Sequence, residues 1–290
     1  MMTTETIAVL GTGTMGSAFA RRLLGAGMRV RAWDVSSTAA ARLADAGAEI
    51  AGTPEDAVRD AGVVLTMVPT VASIEETMPR ALPAMRAGAV WLQMSTIGVD
   101  GTERATALAR QLRPDVVFVD APVSGSKGPA EQGKLLILAS GPAAAVDALA
   151  PVFGALGQKT MRWERAGDGS RMKMVLNTWL AILGEGIAET AVLAQSLGVS
   201  LDDVSECLGS TALNVPWALA KLAKIERGAF DPEFSLALAT KDLHLALDAA
   251  ARAQRSLPIA ATIGGQWDEA LRDGFGDRDV AGAYLQLQHA

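Results

Sequence analysis

The stretch Gly11-Thr12-Gly13-Thr14-Met15-Gly16 decides the fold of the first half of the chain. It joins a short apolar run, Thr6–Gly11, to an amphipathic pattern over Met15–Ala26. In a G-x-G-x-x-G turn, the first glycine permits a tight bend, the second lets the backbone approach a pyrophosphate, and the third allows the helix to pack closely on the strand. A glycine-rich turn without a ligand is the alternative. The flanking strand and helix favour a dinucleotide-binding βαβ unit in which residues 11–16 contact the cofactor.

The second strand of this unit ends on an acidic residue. Asp34 closes the apolar run Arg29–Asp34. A carboxylate at this point accepts hydrogen bonds from the adenosine ribose, and its charge repels a 2′-phosphate. The next residues are Val35, Ser36 and Ser37, so no arginine or lysine offsets that charge. The pattern favours NAD and leaves NADP open, and the alternative is that Asp34 only caps the following helix.

Composition and charge exclude several classes of partner. The 290 residues carry a net charge of −6, so the chain lacks the basic excess with which proteins bind nucleic acids or anionic membranes. Its one cysteine, Cys207, cannot form an internal disulfide. Neither a signal peptide nor a membrane span is apparent. We expect a cytoplasmic protein that binds a small molecule, and no metal site is predicted.

Strand and helix patterns alternate in the first half of the chain only. The other expected strands are Val63–Pro69, Ala89–Ser95, Val116–Ala121, Leu135–Ser140 and Thr160–Trp163, with helices over Ser37–Ala46 and Asp100–Leu112 and a helix start at Thr53-Pro54. Such alternation predicts a mostly parallel sheet with helices on both faces. After residue 164 only helical patterns remain. The predicted fold class is α/β, with a Rossmann-type doubly wound sheet over residues 1–164 and an all-α domain over residues 165–290.

A long helical pattern over residues 170–197 is expected to join the two domains. Its apolar residues cover nearly the whole circumference: Met172, Met174, Val175, Leu176, Trp179, Leu180, Ile182 and Leu183. A helix that is apolar all round is buried. We therefore expect it to lie between the domains or in a subunit interface, and the protein to form a homodimer or homotetramer.

Two segments are candidates for the chemistry. Ser124-Gly125-Ser126 follows a predicted strand, where a hydroxyl and exposed N–H groups suit a carboxylate, although an ordinary turn has the same composition. Lys173 and Asn177 are four residues apart and share a helix face. Burial lowers the pKa of a lysine, which then exchanges a proton with a carbonyl or alcohol oxygen. The alternatives for Lys173 are a side chain that extends to solvent and a structural ion pair.

Further candidates lie at strand ends and at the start of a later helix. Val68 and Pro69 end one predicted strand and Thr96 follows the next, and all three are candidate cofactor contacts. A helix N-cap is equally consistent with Met94-Ser95-Thr96. The segment from Phe234 to Leu243 contains Lys241 and Asp242 at the start of an apolar helical pattern, where exposed charges are also common.

Four motifs in this order resemble the β-hydroxyacid dehydrogenase family, which includes 3-hydroxyisobutyrate dehydrogenases and glyoxylate/succinic semialdehyde reductases. They are G-x-G-x-M-G at 11–16, D-A-P-V-S-G at 120–125, G-x-G-x-x-x-K-x-x-x-N at 167–177 and K-D-L at 241–243. The resemblance covers essentially the whole chain. It implies a Rossmann-type domain, a long interdomain helix and an all-helical C-terminal domain.

The same resemblance implies a role for each candidate residue. Lys173 is the catalytic acid and base, Ser124 and Gly125 bind the substrate carboxylate, and Asn177 assists. The remaining assignments are Phe234 and Asp242 in the substrate site and Lys241 near the cofactor.

Two features point to different branches of the family. Ser126-Lys127 resembles the reductase branch of the family, whose members use NADP. That branch has Asn-Arg after the second strand, whereas this chain has Asp34-Val35, which favours NAD.

The expected reaction is hydride transfer between NAD(P) and a short β-hydroxy acid or aldehyde acid. One alternative is imine reduction on the same scaffold, although imine reductases usually replace the lysine with Asp or Tyr. The other is a non-catalytic dinucleotide-binding sensor, which would bind the cofactor but turn over no substrate.

Overall fold

The structure is a computed structural model that describes residues 5–288. The chain divides into two compact units, the first ending at Lys173 and the second beginning at Met174. Within the described range no helix combines the length and the apolarity that crossing a membrane requires.

The first unit is built on one nine-stranded sheet. The strands are β1 (Thr6–Leu10), β2 (Arg29–Trp33), β3 (Glu49–Ile50), β4 (Val63–Thr66), β5 (Val90–Gln93), β6 (Val117–Asp120), β7 (Val123–Ser124), β8 (Leu135–Ser140) and β9 (Gly157–Trp163). They lie in the order β3-β2-β1-β4-β5-β6-β8-β7, and β9 also pairs with β8. Pairing is parallel from β3 to β6 and between β8 and β9, whereas β8 is antiparallel to β6 and β7. The predicted mostly parallel sheet is confirmed, but β3 and β7 were not predicted.

Helices cover both faces of this sheet. They are α1 (Thr14–Gly25), α2 (Ser37–Ala41), α3 (Pro54–Val58), α4 (Val71–Ala84), α5 (Gly98–Leu112), α6 (Lys127–Glu131), α7 (Ala143–Ala148) and α8 (Ala150–Leu156). Alternate residues of β1 point to opposite faces. Val9 packs in one apolar cluster with Phe19 of α1, and Leu10 packs in the other with Met78 of α4. Because the sheet is covered on both faces, the strand sequences are continuous runs of apolar residues rather than alternating apolar and polar ones.

Two predictions about helices in the first unit can be compared with their observed ends. The start at Thr53 is confirmed, because its hydroxyl accepts a hydrogen bond from Asp56 N at 3.1 Å. The single helix over Ser37–Ala46 is wrong, because α2 ends at Ala41 and a separate 3₁₀ turn covers Ala44–Ala46. Gly47 follows that turn at a φ of +93°, and a left-handed residue of this kind ends a helix.

All the regular elements in the described residues of the second unit are helices. After α9 (Asp168–Ser196), which begins in the first unit, come α10 (Leu201–Gly209), α11 (Pro216–Glu226), α12 (Leu236–Arg252), α13 (Pro258–Arg272) and α14 (Ala283–Leu287). The one β-type contact in residues 174–288 is an isolated bridge between Ser235 and Asp279. The predicted all-α C-terminal part is confirmed, with a long helix leading into it.

One face of α9 departs from the predicted burial. Val175 is 64% exposed and Trp179 is 56% exposed, and Leu193 near the end of the helix and Leu197 directly after it are also exposed. The opposite face is buried, with Ala181 and Ala188 almost inaccessible. Residues 5–288 leave this apolar stripe uncovered, so α9 is not buried on every side within the described part of the single chain. The predicted subunit interface stays a prediction.

Candidate active site

The glycine loop lies at the point where the sheet order changes direction. The strand β1 has β2 on one side and β4 on the other, and ligands of open α/β sheets bind beyond the carboxyl ends of such strands. Gly11 has a φ of +94°, and a Cβ there would lie 2.4 Å from the carbonyl oxygen of Met67. A Cβ on Gly16 would lie 1.9 Å from the carbonyl oxygen of Gly11. The tight turn and the close helix contact therefore require glycine at both positions.

Gly13 differs from Gly11 and Gly16, the other two glycines of the motif. Its φ of −62° suits any residue, and apart from its chain neighbours and the adjoining helix backbone no described heavy atom lies within 4 Å of the place where a Cβ would stand. Gly13 is exposed at the N-cap of α1, whose first turn is the uncharged sequence Thr14-Met15-Gly16-Ser17. The open space and the N–H groups of this helix start fit a pyrophosphate, since the positive end of the helix dipole is not neutralised by an acid.

Asp34 connects the glycine loop to the end of β2. Its Oδ2 accepts a hydrogen bond from Thr12 N at 2.6 Å, and its Oδ1 accepts one from Ser36 N at 2.9 Å. The cap of α2 is Ser36, whose hydroxyl accepts from Ala39 N at 3.3 Å. The interpretation of Asp34 as the helix cap is therefore wrong. Its half-buried carboxylate is instead held beside the loop.

The other strand-end candidates leave the same edge of the sheet. Because β1, β4, β5 and β6 are parallel, residues that follow them share one carboxyl edge. Val68 N donates to the buried Ser95 hydroxyl at 2.8 Å, which joins the segments after β4 and β5. Pro69 is exposed and Thr96 half-buried. The N-cap position of α5 is Ile97, so the N-cap interpretation of Thr96 is wrong.

The Ser124 turn begins at this edge, directly after β6. Ser124 lies in β7 opposite Leu136 of β8. Gly125 has a φ of +130°, and a Cβ there would lie 2.7 Å from Leu135 Cδ2. Ser126 is the N-cap residue of α6, and its carbonyl accepts from Ala130 N at 3.0 Å. The turn therefore requires glycine after a half-buried serine, and Gly125 itself is exposed.

Lys173 and Asn177 lie on consecutive turns of α9, and both are buried. The amide of Asn177 donates through Nδ2 to Asp242 Oδ2 at 2.8 Å. The other oxygen of Asp242 lies 2.8 Å from the ammonium nitrogen of Lys241. Asn177, Asp242 and Lys241 thus form one connected polar group within the second unit. The alternative that Asp242 is an ordinary exposed charge at the start of a helix is wrong, because its side chain is only 7% exposed.

Phe234 precedes α12 in a segment that is held in place by Asp279 and Lys221, two residues that were not predicted from the sequence. Asp279 is fully buried, and it accepts hydrogen bonds from Lys221 Nζ at 2.8 Å and Glu233 N at 3.0 Å. Val280 N donates to the carbonyl of Phe234 at 2.9 Å. Burial raises the pKa of Asp279, but the hydrogen bonds and charge of Lys221 outweigh it and hold that pKa below its usual value. These contacts fix the segment that carries Phe234.

Two family models match consecutive parts of the chain. Residues 6–164 match the NAD binding domain of 6-phosphogluconate dehydrogenase. Residues 167–287 match the model described as NAD-binding of NADP-dependent 3-hydroxyisobutyrate dehydrogenase. The first model alone covers more than half of the chain.

Individual relatives match over most of their length. Glyoxylate/succinic semialdehyde reductase 1 of Arabidopsis thaliana is 29% identical over 95% of this chain and 96% of its own. A probable 3-hydroxyisobutyrate dehydrogenase of Mycobacterium tuberculosis is 32% identical over 88% of this chain and 89% of its own. The solved structure of Mycobacterium tuberculosis 3-hydroxyisobutyrate dehydrogenase with L-serine has a TM-score of 0.88 at 30% identity, covering 98% of this chain and 99% of that one.

The resemblance predicted from four short motifs is therefore confirmed by matches that extend through both units. A nucleotide-binding sheet with a glycine loop at its switch point is followed by the helical part that these relatives also have. The chain belongs to the β-hydroxyacid dehydrogenase family of NAD(P)-dependent oxidoreductases.

Proposed function

We propose that this enzyme reversibly reduces a short acid bearing an aldehyde to the corresponding hydroxy acid, with Lys173 as the residue that moves the proton. When bound, the nicotinamide supplies or accepts the hydride. Lys173 Nζ then donates a proton to the carbonyl oxygen during reduction and accepts one from the hydroxyl during oxidation. The observation that carries this proposal is a buried lysine one helical turn from Asn177, in a family of hydride-transferring enzymes.

The proposed substrate is held by its carboxylate. Ser124 offers a hydroxyl, and the exposed Gly125 and the adjoining Ser126 offer backbone N–H groups, which together suit a carboxylate. L-serine, which accompanies the mycobacterial relative, carries such a carboxylate and a β-hydroxyl. Asn177, Phe234 and Asp242 are proposed to line the rest of the substrate site.

A substrate panel tests the proposed reaction. We expect turnover of at least one of succinic semialdehyde, glyoxylate, 3-hydroxyisobutyrate and serine, and only slow turnover of a cyclic imine. The measurement is the change in reduced-nicotinamide absorbance for each compound with both cofactors. Turnover of the imine alone would favour the imine reductase alternative and contradict the proposal.

We propose NAD rather than NADP as the preferred cofactor. The Asp34 carboxylate accepts a hydrogen bond from Thr12 N at 2.6 Å, which holds it beside the glycine loop. The charge of an acid at the end of the second strand repels a ribose 2′-phosphate. We expect kcat/KM to be higher with NADH than with NADPH, and replacement of Asp34 by serine to reduce that ratio. Initial rates with the best substrate of the panel give both values. A wild-type preference for NADPH would refute the assignment.

The glycine loop gives a separate prediction for dinucleotide binding. Gly13→Ala places a methyl group in the open space of the loop without straining the backbone. Crowding of this kind costs about 1–3 kcal/mol. We therefore expect dinucleotide affinity to fall by roughly tenfold, with unchanged unfolding. Isothermal titration measures the affinity, and Gly25→Ala, also in open space at the end of α1, is the matched control. Equal affinities for the two variants would contradict the proposed contact.

We also propose that the exposed stripe of α9 joins two or four copies of the chain. Val175, Trp179 and Leu193 are separated by 4 and 14 residues, so they share one face of α9, and the exposed Leu197 follows directly after the helix. Trp179→Glu is expected to lower the sedimentation coefficient toward that of a monomer, because it places a charge in an apolar contact. The exposed Lys159→Glu serves as the control. An unaltered assembly in Trp179→Glu would contradict this role of the stripe.

A further inference from the structure

Asp120 is a buried carboxylate that the proposed reaction does not use. It is the last residue of β6, and its side chain is inaccessible to solvent. Its Oδ1 accepts a hydrogen bond from Ser170 Oγ at 2.7 Å, and its Oδ2 accepts one from Ser170 N at 2.8 Å. Ser140 Oγ also lies 3.1 Å from Oδ2. Both oxygens of this carboxylate are therefore bound to the first turn of α9.

The start of α9 is shaped to approach the ends of β6 and β8. Gly167 N and Gly169 N donate to Ser140 Oγ at 3.1 and 3.0 Å. A Cβ on Gly169 would lie 2.0 Å from the carbonyl oxygen of Leu138 and 3.3 Å from Asp120 Oδ2. Gly167 has a φ of +94°, which favours glycine. The two glycines that precede Lys173 in its motif thus allow Asp120 to reach the helix backbone.

A fourth element stabilises the same contact. Thr102 Oγ1 of α5 lies 2.9 Å from Ser170 Oγ, and Thr102 and Ser170 are both buried. Burial raises the pKa of Asp120 to about 6, while hydrogen bonds from Ser170 and Ser140 and the charge of Arg171 oppose that rise. An ionised carboxylate at a helix start interacts favourably with the helix dipole. The cluster therefore fixes the first turn of α9 from three neighbouring elements.

Lys173 lies one helical turn after Ser170, the residue to which Asp120 is hydrogen-bonded. Ser170 and Lys173 are three residues apart, so they are neighbours on the helix surface. Asp120 also begins the segment that leads, four residues later, to Ser124. A shift of α9 along its axis would move Lys173 relative to that segment, and misplacement of a reacting group by about 1 Å costs roughly 100-fold in rate.

We propose that Asp120 is the positioning residue for Lys173, which it holds in place by fixing Ser170 at the start of α9. This inference rests on the proposed role of Lys173 as the proton donor and acceptor. Asp120 acts through the helix and does not touch the reacting atoms. Its effect on turnover therefore depends on the presence of Lys173.

A double-mutant cycle tests this inference. Asp120→Asn keeps the shape of the side chain but replaces one acceptor oxygen with a donor, which cannot accept from Ser170. We expect kcat per bound dinucleotide to fall by roughly 10- to 100-fold, with KM and dinucleotide affinity unchanged. In the Lys173→Ala background the same substitution is expected to leave kcat unaltered, because the residue that it positions is absent.

Controls separate positioning from a general loss of stability. Thr106→Val removes a half-buried hydroxyl of α5 that donates to the carbonyl of Thr102 at 2.8 Å and does not contact Asp120 or Ser170. Its kcat should therefore stay near that of the wild type. If Asp120→Asn does not fold, Ser170→Ala replaces it in the cycle. It deletes the hydroxyl bonds to Asp120 and Thr102 but keeps the bond from Ser170 N to Asp120, so it should give a smaller loss in the same direction. An unchanged kcat, or an equal loss in the Lys173→Ala background, would overturn the inference. Near-normal turnover by Lys173→Ala itself would instead refute the proposed function.

Discussion

Lys173→Ala is expected to lower kcat by about 100- to 10,000-fold, the contribution that general acid–base catalysis commonly makes. The substitution removes the group that exchanges a proton with the substrate oxygen, while the glycine loop and Asp34 stay intact. Dinucleotide affinity should therefore remain at the wild-type value. Stopped-flow measurement of nicotinamide oxidation gives the rate, and isothermal titration gives the affinity.

The control for this experiment is Lys159→Ala, which removes an exposed lysine from β9. It should leave both rate and affinity unchanged. If Lys173→Ala retained a rate close to that of the wild type, another residue would have to move the proton, and the assignment of Lys173 would be wrong.

Lys221→Met is expected to destabilise the second unit by about 3–5 kcal/mol, the usual cost of leaving one partner of a buried ion pair without the other. The side chains of Lys221 and Asp279 are 3% and 0% exposed. Without this ammonium group, Asp279 remains buried with backbone donors such as Glu233 N and Ala281 N but loses its nearest cation. Urea unfolding measured by circular dichroism gives the difference in the free energy of unfolding.

The pH dependence of this loss has a defined sign. Because the pKa of Asp279 is lowered in the folded protein, the stabilisation by the pair is present at neutral pH and is lost as Asp279 takes up a proton below its usual value of 3.8. The difference in the free energy of unfolding between Lys221→Met and the wild type should therefore become smaller at low pH. Lys224→Met is the control, because Lys224 Nζ lies 3.9 Å from Asp279 and its side chain is more exposed. An equal loss in both variants would contradict a specific role of the buried pair.

Most of the fold was predictable because it depends on local patterns. The strand β8 was predicted with its observed ends, and the apolar runs of β1 and β4 differ from prediction only at their ends. The strands β3 and β7 were missed because two residues are too few to produce a recognisable alternation. The exposed face of α9 is a different case, since an apolar sequence predicts burial but does not specify whether the same chain or another copy covers the helix.

The candidate site was predictable where a motif carries its own chemistry. Lys173, Asn177 and Asp242 were identified as candidates from the sequence. In the structure, Asn177 Nδ2 lies 2.8 Å from Asp242 Oδ2. The partners of Asp120 and Asp279 were not found, because Ser170 lies 50 residues after Asp120 and Lys221 lies 58 residues before Asp279. Pairings across such separations follow from the packing of whole elements rather than from any spacing in the sequence. The one available signal was the position of Asp120 at the start of its motif, directly after a strand.

Transfer of deuterium in a single turnover tests the central proposal most directly. The enzyme is saturated with reduced dinucleotide carrying deuterium at the transferable C4 position and mixed with the best aldehyde acid of the panel. The account predicts deuterium on the carbinol carbon of the hydroxy acid, and a rate that falls by about 100- to 10,000-fold in Lys173→Ala. Deuterium in the solvent, or equal transfer rates for the wild type and Lys173→Ala, would contradict it.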